Sequence, residues 1–172
     1  DTRLSLVADG VVDATLLAAA GLRRLGRLDG DDRLAGPGVG LRSEVLPYDA
    51  MLPAAGQGAL AVECAAGAPA WLRAALSALD DEATRAAVTA ERTFLARLEA
   101  GCLAPVGAHA LVVDHDLTLR AVTGRTEPNA EVPSSVVRAE LAGSPRSAEA
   151  VGATLAEQVL AQLAEAEQAL EA

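Results

Sequence analysis

Lysine is absent from this chain: all fourteen basic residues are arginine, against 24 acids, giving a net charge of −10 over 172 residues. The exclusive use of arginine, together with abundant alanine, fits GC-rich coding and carries no functional message. The acidic balance excludes a general polyanion-binding surface, because nucleic-acid binding depends on a dense basic field that displaces counterions. An anionic ligand must instead be met by local arginines. Long apolar runs are also missing. No stretch approaches the ~18 residues that span a bilayer, and no basic segment followed by an apolar run and a cleavage site opens the chain, so neither membrane insertion nor secretion is expected. Cysteine is scarce, with only Cys64 and Cys102, and without a secretion signal free thiols in a reduced, cytoplasmic setting are expected rather than a disulfide. Those cysteines and the two histidines, His109 and His115, lack the close paired spacing of a zinc centre, so no metal is expected. A Walker-type loop, a Rossmann glycine fingerprint and a nucleophile-elbow serine are likewise absent.

What is present suffices for a folded core, since 51% of the residues are hydrophobic. The first residue is Asp1 rather than Met, and the pattern from Arg3 begins without a cap, so a partial chain is expected. Leu4, Leu6, Val7 and Val11 recur at near-helical spacing, residues 13–18 form a short apolar run with the character of a buried strand, and residues 21–26 predict one or two helical turns closed by Gly26. This opening segment is βα-like. Residues 27–48 carry four glycines and two prolines and predict a connecting loop without a regular element. A glycine-containing turn then leads into residues 59–62, short and apolar enough for a buried strand that ends at Cys64, and residues 65–69 suit a linker.

The second part has clearer periodicity. Asp80, Asp81 and Glu82 precede residues 83–98, where Ala87, Val88, Phe94, Leu95 and Leu98 share one face, and acids at the start suit a helix N-terminus. After Gly101, Pro105 and Gly107 come three alternating stretches, residues 108–113, 117–123 and 136–141, which predict antiparallel strands with a tight turn at Asp114, His115 and Asp116. Val151, Leu155, Val159, Leu160 and Leu163 then mark a long amphipathic helix over residues 147–169.

Four segments, in order, carry a resemblance to a known family. Thr2-Arg-Leu4, Ala18-Ala-Ala-Gly-Leu-Arg-Arg-Leu-Gly26, Leu52-Pro-Ala-Ala-Gly-Gln-Gly-Ala59, and Thr89-Ala-Glu-Arg92 followed by Leu98-Glu-x-Gly-Cys-x-x-Pro-x-Gly107 together resemble the porphobilinogen deaminases, the hydroxymethylbilane synthases of tetrapyrrole biosynthesis, over nearly the whole chain. Ala100 departs from the pattern, which usually has glycine there, and this costs backbone freedom without touching the thiol. The resemblance implies an α/β remnant, part of a doubly wound, periplasmic-binding-protein-like two-domain cleft, followed by an α+β C-terminal domain with a small antiparallel sheet covered by helices. The implied domains are residues 1–48 as the remainder of domain 2, 49–68 as a returning segment of domain 1, and 69–172 as domain 3.

The resemblance further implies a transferase that condenses four porphobilinogen molecules head to tail, with loss of ammonia, onto a dipyrromethane primer thioether-linked to Cys102. A thiolate is the competent form for making a carbon–sulfur bond, and a Gly/Pro-flanked loop can hold Cys102 toward a ligand. The pyrroles carry acetate and propionate groups, and the planar guanidinium fork suits carboxylates. By position in the matching motifs, Arg3 and Arg24 are the implied carboxylate-binding residues, with Arg92 a weaker candidate. Gly56, Gln57, Gly58 and Ala59 would bring backbone N–H groups and one amide near the pyrroles. Leu17 and Gly21 would line the same cleft or simply pack. The family's catalytic aspartate lies in an N-terminal half outside this sequence, so the chain alone is expected to be inactive, and its partners are that half, porphobilinogen and the growing pyrrole chain. A monomer that binds neither nucleic acid nor membrane is expected. Two other readings compete: a noncatalytic binding or scaffold domain of the same fold, and a generic thiol enzyme, for which no histidine stands in a persuasive relation to Cys102.

Overall fold

A computed structural model describes residues 2–99, 104–125 and 135–171. The chain divides into two compact units, residues 1–50 and 51–172.

The first unit contains α1 (Thr2–Ala8) and α2 (Ala19–Arg24), with a 3-10 turn at Gly36–Gly38. Its buried apolar side chains, among the described residues, are Leu4 and Leu28. Asp29 organises the loop that follows α2: its carboxylate accepts from the backbone N–H groups of Asp31 (2.9 Å) and Arg33 (2.8 Å), an Asx-type turn. This allows Leu28 to bridge Leu34 in antiparallel fashion, and Arg23 closes the same loop through an ion pair to Asp32 at 2.9 Å. The loop expected over residues 27–48 therefore contains one bridge and one 3-10 turn.

Two expected strands do not form. Residues 13–18 are irregular backbone, with Leu16 64% exposed, and so are residues 59–62, with Leu60 79% exposed. The reason is pairing. A strand satisfies its N–H and C=O groups only through neighbours, and among the described residues no strand lies alongside either segment. Cys64, expected at the end of a buried strand, is consequently an exposed free thiol.

The second unit holds the main core. It comprises α3 (Ala70–Ser77), which the sequence pattern did not suggest, α4 (Glu82–Arg97), β1 (Val106–Val113), β2 (Asp116–Arg125), β3 (Ser135–Gly143), a 3-10 turn at Pro145–Ser147, and α5 (Ala148–Glu171). The sheet order is β1-β2-β3, antiparallel throughout, with Ala108 opposite Ala121 and Thr123 opposite Val137. Asp114 and His115 form the two-residue turn of the first hairpin at φ 48° and 73°, the positive-φ pair that matches the twist of a tight hairpin. Alternation then directs Ala108, Ala110, Leu117, Leu119, Ala121 and Val137 to one face. That face packs on α4 and α5, which contribute Ala90, Phe94, Val151, Leu155, Val159 and Leu163. The two helices approach closely at Gly152, where an added Cβ would lie 2.4 Å from the Ala90 carbonyl oxygen, so glycine here sets the spacing of the crossing.

α4 begins on a side-chain cap. Asp81 Oδ1 accepts from the Thr84 backbone N–H at 2.7 Å, and hydrogen bonding from the Thr84 side chain, then from its backbone N–H, holds the Asp81 carboxyl below the usual aspartate range. A depressed folded-state value makes the capping contribution fully present above the unfolded-state pKa of about 3.9 and removes it as pH falls through the lower folded value. The expected result is an acid-unfolding curve whose first descent is flattened in Asp81→Asn, which caps without titrating; circular dichroism of both proteins between pH 5 and pH 2 checks it.

Candidate functional site

The segment Leu52 to Ala59 is built from two successive turns. The Gln57 N–H donates to the Ala54 carbonyl at 3.0 Å and the Ala59 N–H to the Gly56 carbonyl at 3.2 Å. The third position of each turn is a glycine with positive φ, Gly56 at 76° and Gly58 at 96°, the placement a type II turn demands. A Cβ on Gly56 would meet nothing within 4 Å, so its backbone conformation, rather than space, calls for glycine there. The Gln57 side chain folds back, its Oε1 accepting from the Ala54 N–H at 3.2 Å.

Two connections tie these turns to the sheet. The Pro53 carbonyl accepts from the Ala108 N–H at 2.9 Å, alongside a close approach in which a Cβ on Gly107 would fall 2.9 Å from the Leu52 Cβ. The other is Glu91 on α4, 6% exposed and one of the two buried polar or charged residues among those described. Its Oε2 accepts from the Gly56 N–H at 2.6 Å and its Oε1 from the Ala110 N–H at 2.7 Å. The turns, α4 and β1 thereby enclose a concavity of ≈ 280 Å³, lined by Gly56, Gln57, Gly58, Ala59, Ala87 and Glu91 together with residues of β1.

Gln57, Gly58 and Ala59 therefore sit together, exposed, at the mouth of one concavity. Arg92 is exposed on α4 and is not among that concavity's lining residues. Cys102 lies outside the described residues, but its flanks are fixed. α4 ends at Arg97 with Leu98 as its C-cap, and Glu99 takes a positive φ of 50°. On the other side, the Pro105 carbonyl accepts from the Gly124 N–H at 3.2 Å, just before β1.

In the first unit, Arg3 on α1 borders a groove of ≈ 360 Å³ lined also by Leu4, Leu17, Gly21, Leu22 and Leu25. Arg3 is exposed, as is Arg24 on α2. An apolar trough with a guanidinium at its edge can take a flat, carboxylate-bearing ring. Arg24 does not line this groove. Among the described residues no cluster of three or more His, Cys, Asp or Glu side chains could hold a metal ion, and no helix is long and apolar enough to cross a membrane.

Glu91 is the residue that sequence reasoning missed. The signal was a lone acid inside the apolar helical stripe of Ala87, Ala90, Phe94 and Leu98, where a charge without a partner would be costly.

Residues 1–73 match the family model for the porphobilinogen deaminase dipyromethane cofactor binding domain, and residues 85–161 match that for the porphobilinogen deaminase C-terminal domain. Porphobilinogen deaminase 1 of Streptomyces coelicolor is 48% identical over 167 residues, covering 94% of this chain and 48% of the relative. The Streptomyces avermitilis protein of the same name is 52% identical over 132 residues, 74% of this chain and 37% of the relative, and the Thermobifida fusca porphobilinogen deaminase is 44% identical over 165 residues, 94% and 48%. The chain thus spans about half the length of the curated relatives it matches. With two consecutive models of one family matching almost end to end, this chain belongs to the porphobilinogen deaminase family.

Proposed function

We propose that this chain serves as part of a hydroxymethylbilane synthase, a transferase of tetrapyrrole biosynthesis that joins four porphobilinogen molecules, with loss of ammonia, on a dipyrromethane primer held by Cys102. The observation that carries the reading is the common support of two motifs. The glycine turns are bonded to Glu91 of α4, and that helix ends at Arg97, five residues before Cys102 in the sequence, so the helix that supports the turns also leads into the cysteine segment. The curated relatives bear the matching name.

The residues present suit such a ligand. Arg3 offers a cation beside an apolar groove, and Arg24 a second one on α2, both fitted to the carboxylates of the pyrroles. Gly58 and Ala59 leave backbone exposed where a flat ring can approach closely, and Gln57 adds one amide. The Cys102 thiolate is the nucleophile that makes the thioether bond. When bound, the dipyrromethane supplies the free pyrrole carbon from which the product chain grows.

The remainder of the protein, by this reading, supplies the catalytic aspartate and the strands that pair with residues 13–18 and 59–62. Exposed Leu16, Leu60 and Val62 support that view, because apolar strand-like segments without partners await a sheet. The first unit and residues 51–68 then belong to a doubly wound, periplasmic-binding-protein-like cleft, the whole acting as a cytoplasmic monomer, and this chain alone is inactive.

Intact mass with peptide mapping of Cys102 tests the proposal. The whole protein is expected to carry a two-pyrrole adduct on Cys102 and to turn over porphobilinogen, while this chain alone turns over none. A bare Cys102 in the whole protein after incubation with porphobilinogen would favour a noncatalytic scaffold of the same fold instead.

A further inference from the structure

We infer that Glu91 is a positioning residue whose carboxylate sets the Gly56–Ala59 turns against β1, an inference that rests on the turns serving the pyrrole site proposed above. Three observations lead to it. Both oxygens of one 6% exposed carboxylate are spent on backbone N–H groups, those of Gly56 at 2.6 Å and Ala110 at 2.7 Å. These partners lie 35 and 19 residues away in sequence, on an irregular segment and on a regular strand. The helix that carries Glu91 is already seated on the sheet by its fully buried neighbours Ala90 and Phe94.

Docking α4 therefore does not require an acid at position 91. Burying a carboxylate is costly unless its oxygens are bonded, and a well-packed apolar side chain would serve packing at least as well. What an apolar residue cannot do is accept from two backbone donors at once. The bivalent acceptor fixes where Gly56 stands relative to Ala110, and so where the exposed Gly58 and Ala59 backbone and the Gln57 amide stand at the concavity they border. The Pro53 to Ala108 bond fixes the segment three residues earlier, leaving Glu91 to define the turns themselves.

The test is Glu91→Gln in the whole protein, since glutamine keeps the size but offers one oxygen and one N–H₂ group that cannot accept. Leu155→Ala, a core change remote from the turns in sequence and chemistry, serves as a control for stability loss alone. Glu91→Gln is expected to retain the two-pyrrole mass on Cys102 and to lose at least about tenfold in kcat/KM for porphobilinogen, mostly in kcat, in line with misplacement of positioning groups. Leu155→Ala, assayed where it is folded, should stay within about twofold of the unaltered protein. Amide exchange gives a readout that needs no activity: the Gly56 and Ala110 amides should exchange at least about tenfold faster in Glu91→Gln, while the Leu119 amide keeps its rate.

A folded Glu91→Gln protein with kcat/KM within twofold of the unaltered enzyme, or with unchanged exchange at Gly56, overturns the inference. If the unaltered protein itself consumes no porphobilinogen, the functional reading fails, and exchange at Gly56 still decides whether Glu91 is the clamp. Should Glu91→Gln fail to fold, Glu91→Asp carries the test, because it keeps the carboxylate but is one methylene shorter and cannot hold the Gly56 and Ala110 amides at 2.6 and 2.7 Å together. The same loss in kcat is expected there, and an unchanged kcat overturns the inference.

Discussion

Cys102→Ala in the whole protein is expected to lower turnover of porphobilinogen by at least about 10³-fold, the order lost when a residue that forms the enzyme's covalent bond is removed. The variant should still fold, because the chain on either side is fixed independently, by the end of α4 at Arg97 and by the Pro105 carbonyl bonded to Gly124, but its thermal midpoint should fall, because a primer bound only by the folded protein is lost. Its intact mass should be lower than that of the unaltered protein by the two pyrroles as well as by the sulfur. Cys64→Ala provides the contrast. That thiol is exposed on irregular backbone, and its removal should leave mass loading and rate unchanged. Equal rates in the two variants would remove the chemical basis for assigning Cys102 and return the chain to the scaffold reading.

Phe94→Ala should destabilise the second unit by about 3–5 kcal/mol. Phe94 is the one phenylalanine in the chain, it is 0% exposed, and it belongs to the cluster formed with Leu117, Leu119, Leu155 and Val159. The cavity cannot close readily, since the helix pair is already at its closest approach where Gly152 faces the Ala90 carbonyl and the Phe94 amide. Against a typical stability of about 5–15 kcal/mol, such a loss would move the urea midpoint sharply at nearly constant slope. Far-ultraviolet circular dichroism against urea measures it, and a shift worth less than about 1 kcal/mol would mean that α4 does not rest on the sheet through this ring.

The elements legible in the sequence are those whose partners are close along the chain. The stripe through Ala87, Phe94 and Leu98, the repeat from Val151 to Leu163, and the three alternating segments all pair or pack within residues 82–171, so local pattern and tertiary structure agree. Residues 13–18 and 59–62 have the composition of strands but no neighbouring strand among the described residues, and composition cannot supply one. The short helix at Ala70–Ser77 escaped notice because it buries no residue and its Trp71 is 71% exposed. The site divides in the same way. Glycines 56 and 58 take the positive φ that favours glycine, whereas Leu17 and Gly21 line the groove beside Arg3 and not the concavity at the turns. Glu91 was readable only as an acid inside an apolar stripe: its role depends on the amides of Gly56 and Ala110 converging on one carboxylate, and nothing in the spacing of those three residues announces these partners.

The irregular segment that begins at Met51 also bears on how the sheet behaves among other molecules. Among the described residues β1 pairs with β2 on one side only, and an open flank with free amides is a template on which a foreign strand can add. Here the Ala108 amide is taken by the Pro53 carbonyl and the Ala110 amide by Glu91, so two donors that would recruit such a strand are already occupied. At the opposite flank, β3 carries exposed Arg138 and Glu140, charges that oppose the stacking of like strands. These features oppose the addition of a foreign strand to the sheet, and the backbone that shapes the candidate site doubles as the guard of its β1 flank.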